Sequence, residues 1–142
     1  MTGTTITPYL FFGGRCDEAI AFYGKALGAT VEFLMRFEES PDPTPEGMLQ
    51  AGFEKKVMHA TVVVKGVRLM MADGCNDGAN SDGFHLALSV PTEAEAREAF
   101  DGLTDGGRVL MALTKTFWSP CFGMLKDQFG IEWMVMVPGE SS

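Results

Sequence analysis

The chain of 142 residues contains only two histidines, His59 and His85. Imidazole exchanges a proton near neutral pH, so each is a candidate acid or base. Glu132 joins them as a candidate, in the closing stretch "GIEWMVMV" (130–137). There a glycine turn leads into an alternating strand, with the carboxylate two places before Met134. Residues two apart on a strand share a face, so Glu132, Met134 and Met136 are expected on one side. Glu132 should stand about 6–7 Å along the strand from Met134.

The elements that must position these residues are readable from periodicity and punctuation. "TITPYLFF" (4–11) reads as a strand. From Asp17 to Leu27 the apolar residues Ala19, Phe22, Tyr23, Ala26 and Leu27 fall at helical spacing, with Gly28 as the stop. "ATVEFLMRFE" (29–38) returns to strand, and 39–52 is loop by composition. Residues 56–64, the turn Lys65-Gly66 and 67–73 predict a β-hairpin. A linker over 74–83 follows. The same order then begins again. "FHLALSV" (84–90) is a strand. A helix within 91–107 opens at Thr92 with Glu95 three residues on, and Ala96, Ala99, Phe100 and Leu103 form its apolar face. Strands over 108–118, 121–127 and 131–137 complete the set. The expected class is α+β: two βαβββ modules, 4–74 and 83–138, within a single domain 1–142. Neither module can bury its sheet face alone, so they are expected to form one curved mixed sheet around a cleft, helices on the outer face.

Bulk composition narrows the function. Hydrophobic residues make up 46% and charged residues 21% of the chain, and the net charge is −8. A surplus of acids argues against sequence-independent nucleic-acid binding and against docking on anionic membranes. "MTGTT" lacks the basic start of a secretory leader, and "YLFF" is too short for a membrane span. Three widely spaced cysteines, Cys16, Cys75 and Cys121, form neither a disulfide framework nor a structural zinc pattern. Reduced thiols in the cytoplasm are the expectation.

Three blocks, "PYLFFGG…EAIAFY…LGA", "HATVVVKGVRLMMAD" and "KTFWSPCFGMLKDQFGIEWMV", resemble the vicinal-oxygen-chelate superfamily in order and spacing. This is the group of glyoxalases, bleomycin- and fosfomycin-resistance proteins and extradiol dioxygenases. The similarity is to its PhnB-like branch and covers about residues 5–138. The resemblance implies paired βαβββ modules, a homodimer and a concave site for a small-molecule ligand. Some relatives carry the label of a ubiquinone-pathway methyltransferase. No glycine-rich βα loop for S-adenosylmethionine is visible, so that activity is discounted.

Metal-using relatives take ligands from the first and last strand of each module. Aligning Phe22-Tyr23 with Ala99-Phe100 gives an offset of 77, which matches His85 to Pro8. Aligning Gly66 with Gly130 gives an offset of 64, which matches Met134 to Met70. Proline has no side-chain donor and thioethers are soft ligands, so a chelated divalent metal is not expected, and no cofactor is implied. Pairing Val64 with Val67 across the hairpin turn puts Thr61 opposite Met70, and places His59, Thr61 and Arg68 on the cleft side. Ala87 and Ser89 follow His85. The expected cleft holds His85, His59 and Glu132 as catalytic candidates. Thr61, Arg68, Met70, Ser89, Trp118, Met134 and Leu10 would bind the ligand, an apolar lining with few polar groups.

Each candidate has a plainer alternative. Either histidine could be a hydrogen-bonded strand residue, Glu132 a solvated rim carboxylate, and Arg68 a surface cation. Trp118 and Phe117 could wall the site or pack in the core. Trp133, Tyr9 and Phe11 have the opposite parity and should pack beneath the helices. Cys121 as a nucleophile would need a base beside it. Three readings stand: a metal-independent ligand-binding protein with histidine proton transfer, a metal-dependent lyase or thiol transferase using His59, His85 and Glu132, and a non-catalytic sequestering module.

Overall fold

The computed structural model describes residues 5–42, 45–78 and 83–139. Thr4 of the expected first strand, residues 43–44 of the expected loop and 79–82 of the expected linker lie outside them. The chain divides into two compact units, Met1–Asn80 and Ser81–Ser142. The first holds strand β1 (Tyr9–Phe11), helix α1 (Cys16–Leu27), β2 (Thr30–Arg36), β3 (Val57–Val64) and β4 (Val67–Ala72). The second repeats the order with β5 (Leu86–Ser89), α2 (Glu93–Thr104), β6 (Arg108–Thr114), β7 (Cys121–Lys126) and β8 (Glu132–Val137). This is the expected α+β class with the βαβββ order twice. The hydrogen bonding differs from the single mixed sheet expected. It closes two separate four-stranded sheets, β1-β4-β3-β2 and β5-β8-β7-β6.

In each sheet the first strand runs parallel to the last, and the remaining pairs are antiparallel. A parallel pair needs a crossover, and α1 and α2 lie in those connections. Helix α1 buries Cys16, Ala19, Tyr23 and Leu27. It stops at Gly28, whose left-handed φ of 73° lets its N–H reach back to the Gly24 carbonyl. Helix α2 starts at Thr92, whose hydroxyl accepts from Glu95 N–H at 3.1 Å. It buries the four residues expected, Ala96, Ala99, Phe100 and Leu103. Gly123 on β7 admits the helix closely: a Cβ there would come 2.9 Å from Phe100 Cε2.

The hairpin turn has the expected two residues, with Lys65 at φ 52° and Gly66 at φ 83°. Positive φ at both positions matches the strand twist and fixes the register Val64↔Val67, Thr61↔Met70. Ala60, Val62 and Val64 then fall on the buried face, and His59, Thr61 and Val63 on the other. In β8 the alternation is equally regular: Trp133, Val135 and Val137 are buried, while Glu132, Met134 and Met136 are half-buried.

Two buried carboxylates tie loops to sheets. Asp73 Oδ1 accepts from the N–H groups of Gly14 and Cys16, each at 2.8 Å, and its Oδ2 from Val57 N–H at 2.9 Å. Asp127 accepts from Phe129 and Ile131 N–H and from the Trp133 indole at 2.9 Å. The first fixes the start of α1 against β3, and the second fixes the turn into β8.

Candidate functional site

The second unit brings two of the candidate catalytic residues together. His85 immediately precedes β5, and the parallel register Leu86↔Trp133, Ala87↔Met134 continues backward to His85 beside Glu132. His85 Nε2 lies 2.9 Å from Glu132 Oε1, with 31% and 24% of the two side chains exposed. An ionised carboxylate only accepts, so in neutral His85 this contact favours the hydrogen on Nε2 and the lone pair on Nδ1. Ala87 and Ser89 on β5 pair with Met134 and Met136 on β8. Across the other side of β8, Met124 pairs with Met134 and Lys126 with Glu132. Lys126 on this face was not among the sequence candidates. Its signal was the alternation of "CFGMLK" against the strand that carries Glu132.

Trp118 is 48% exposed, and its ring meets Phe122 edge-on at 5.5 Å. Phe122 pairs with Met136, so Trp118 adjoins the same strand ends. Lys115, Phe117, Trp118 and Pro138 help to line a cavity of about 540 Å³ beside it. Cys121 is buried, burial pushes its thiol up, and its backbone N–H is held by Ser119 Oγ at 3.1 Å. A protonated, enclosed thiol is a poor nucleophile.

In the first unit His59 lies on the face that carries Thr61 and Met70, with Met35 and Phe33 opposite His59 and Thr61 on β2. The structure adds Tyr9. Its hydroxyl lies 2.9 Å from His59 Nδ1, its ring stacks on Phe11 at 4.8 Å, and Phe33 stands 6.1 Å from the imidazole. Tyr9 is 38% exposed and Leu10 only 2%. The expected faces of β1 are therefore reversed: Leu10 is a core residue, and Tyr9 and Phe11 share the side of His59. The physical reason is one residue in the connection between strand and helix. Four residues separate β1 from α1, but three separate β5 from α2. The helices do match at offset 77, from Cys16 to Glu93 and from Leu27 to Thr104. Met70 pairs with Tyr9 and Met134 with Ala87, so the first strands match at 78. His85 corresponds to Thr7, not Pro8. A one-residue slip turns every side chain of a strand to the other face.

Arg68 is occupied by a carboxylate. Its Nε and Nη2 reach the two oxygens of Glu32 at 2.7 and 2.9 Å. Glu32 sits in the register shift of β2 between Val31 and Phe33. The guanidinium's hydrogen bonds hold the Glu32 carboxyl below its usual range.

The donor set does not fit a chelated divalent metal within either unit. His85 and Glu132 supply two donors, an imidazole nitrogen and a carboxylate, but they face one another at 2.9 Å. The matching positions in the first unit are Thr7 and Arg68, a hydroxyl and a cation. Among the described residues no group of three or more His, Cys, Asp or Glu side chains could hold a metal ion. Such a site needs three or four donors.

The βαβββ order run twice, each with a four-stranded mixed sheet, is that of the glyoxalase fold. The family profile "Glyoxalase/Bleomycin resistance protein/Dioxygenase superfamily" matches residues 5–135, and the chain belongs to that superfamily. It is 36% identical over 140 residues to Protein YjdN of Escherichia coli (strain K12), covering 93% of this chain and 94% of that protein. Among solved structures it is similar to protein PA1353 from Pseudomonas aeruginosa, with 37% identity, TM-score 0.82, and coverage of 97% and 100% of the two chains. A PhnB protein from Bacillus cereus is 26% identical with TM-score 0.76, over 94% and 99% of the chains. PhnB-like proteins are thus among its structural neighbours. Among the described residues no helix is long and apolar enough to cross a membrane.

Proposed function

We propose that this PhnB-like member of the superfamily binds a small organic molecule on the helix-free face of its second sheet and transfers a proton through His85, without a chelated divalent metal. The observation that carries the reading is the 2.9 Å contact between His85 Nε2 and Glu132 Oε1. The carboxylate orients the ring and balances the imidazolium formed when Nδ1 takes a proton from the bound molecule. The apolar surroundings, Met134, Met136 and Met124, suit a ligand recognised by shape. Thr61 and Met70 on the first sheet's face, and Ser89 and Trp118 in the second unit, are the proposed ligand contacts of each unit. Arg68 would contribute only by exchanging Glu32 for a ligand anion, and Leu10 would support the sheet from beneath.

The test is catalysed exchange of carbon-bound hydrogen in D2O, read by NMR over a panel of aryl ketones as probe carbon acids. Exchange that is lost in His85→Gln and insensitive to chelator supports the proposal. Tight binding with no exchange of any member would make the protein a sequestering module. A metal-dependent lyase or transferase is the second reading: His85 and Glu132 would supply two donors, an imidazole nitrogen and a carboxylate, of the three or four such a site needs. Stoichiometric metal in untagged protein, with activity lost on chelation, would establish it instead.

The exposed apolar residues Val109, Leu110 and Met111 on edge strand β6 support a homodimer. Three free cysteines support a cytoplasmic location.

A further inference from the structure

We propose that Tyr9 is a positioning residue for His59: its hydroxyl donates to Nδ1, fixes the hydrogen on Nε2, and so makes His59 a hydrogen-bond donor toward a flat ligand that carries an acceptor oxygen. This rests on the reading of the helix-free sheet face as the ligand face.

Several observations converge on it. Tyr9 Oη lies 2.9 Å from His59 Nδ1, and the two rings meet edge to face at 5.6 Å. A phenol is a strong donor and a poor acceptor, while an unprotonated imidazole nitrogen is a strong acceptor, so the hydrogen bond runs from tyrosine to histidine. Partial burial holds the Tyr9 phenol above its ordinary value, which keeps its hydrogen in place at neutral pH. With Nδ1 accepting, the ring hydrogen of neutral His59 resides on Nε2. Among the described residues Nε2 has no hydrogen-bond partner. The imidazole sits between Phe33 on one side and the Tyr9–Phe11 stack on the other, all exposed aromatic surface. Flat apolar walls around one N–H donor match a planar, unsaturated molecule with a carbonyl oxygen.

The polarity is opposite to that of His85, whose Nε2 faces Glu132 at 2.9 Å and whose Nδ1 has no hydrogen-bond partner among the described residues. The two histidines therefore have different chemical roles: His59 gives a hydrogen bond and His85 accepts a proton.

The experiment is a long-range nitrogen–proton NMR spectrum of the imidazoles at about pH 8.5, two units above the ordinary histidine value. His85→Gln assigns the remaining signals to His59. The expected result is a single Nε2–H tautomer in the otherwise unchanged protein and a mixture of both tautomers in Tyr9→Phe, with little change in melting temperature. A dominant Nδ1–H form, or tautomer populations unmoved by Tyr9→Phe, overturns the proposal. Should Tyr9→Phe fold poorly, the wild-type Nδ1 signal serves instead: a shift away from that of a bare imidazole nitrogen shows that Nδ1 accepts a hydrogen bond, and a bare Nδ1 overturns the proposal.

Binding of 2-acetylnaphthalene is then compared with 2-ethylnaphthalene, which has no acceptor. The ketone should bind about tenfold more tightly, the ratio expected for one added hydrogen bond. In Tyr9→Phe its affinity should fall by less than about twofold, as a minor share of the rings then holds the wrong tautomer. Equal binding of the two probes overturns the acceptor-oxygen assignment. Failure of both to bind, with the tautomer locked, faults the ligand-face reading and with it the ligand half of this proposal, while the Tyr9–His59 pairing stands.

Discussion

Glu132 Oε1 lies 2.9 Å from His85 Nε2 across the parallel β5–β8 pair, and among the described residues His85 Nδ1 has no hydrogen-bond partner. A carboxylate that acts through the ring affects catalysis differently from the ring itself. Removing the base in His85→Gln should lower any exchange rate by roughly 10²–10⁴-fold. Glu132→Gln keeps the shape but can present an amide N–H to Nε2, which favours the other tautomer. It should lower kcat by a smaller factor and leave KM for the probe ketone nearly unchanged. Steady-state kinetics with both variants checks this, and an unchanged rate in His85→Gln contradicts it.

The buried Asp73 carboxylate accepts from three backbone N–H groups. Asp73→Ala strands all three donors where water cannot reach them easily. Urea unfolding should show a loss of roughly 3–5 kcal/mol. A loss below about 1 kcal/mol would mean that the carboxylate does not hold β1, α1 and β3 together.

The Trp133 indole donates to buried Asp127 Oδ2 at 2.9 Å. Trp133→Phe fills most of the volume but removes that donor. The expected destabilisation is about 1–3 kcal/mol by urea unfolding.

Cys16 and Cys121 are buried and Cys75 is partly exposed. Burial pushes the Cys16 thiol far above its ordinary value, aided by the nearby Asp73 and Asp17 carboxylates, and raises Cys121 as well. Native protein at neutral pH should therefore react rapidly with a disulfide reagent at Cys75 alone. Raised folded values also mean that stability from these two thiols is complete below the unfolded thiol range near pH 8.5 and is lost as pH rises above it. Alkaline unfolding curves of Cys16→Ser should lose part of that pH dependence.

Arg36 grips Asp17 with two hydrogen bonds, at 2.8 and 3.0 Å, and these hold the Asp17 carboxyl below its usual range. The resulting stability is present above about pH 4 and is lost as pH falls through the lowered value. Asp17 is about half exposed, so solvent screening limits the effect to under about 1 kcal/mol. Asp17→Asn should flatten the acid limb of the stability curve without changing the neutral plateau by more than that.

The parts of the fold that sequence reasoning reached are those with strong local signals. The Lys65-Gly66 turn fixed the pairing of Thr61 with Met70, and α2 announced itself by its Thr92 cap and its apolar spacing. Tyr9 was misplaced because β1 is only three residues long and alternation over three residues carries little register information. Its face had to be borrowed from the repeat, and the repeat changes offset from 78 to 77 between strand and helix. Glu132 was identified as a candidate, but its contact with His85 is a cross-strand relation, set by the β5–β8 register. Arg68 illustrates the same limit: the register shift in β2 that offers Glu32 to it leaves no mark in local composition.

The most direct measurement is the imidazole nitrogen spectrum of His85 in untagged protein, recorded before and after treatment with chelator. A bare Nδ1 and a protonated Nε2, identical in both samples, are predicted by a histidine that Glu132 holds as a metal-free base. A protonated Nδ1, or His85 signals that move when metal is stripped away, would contradict it.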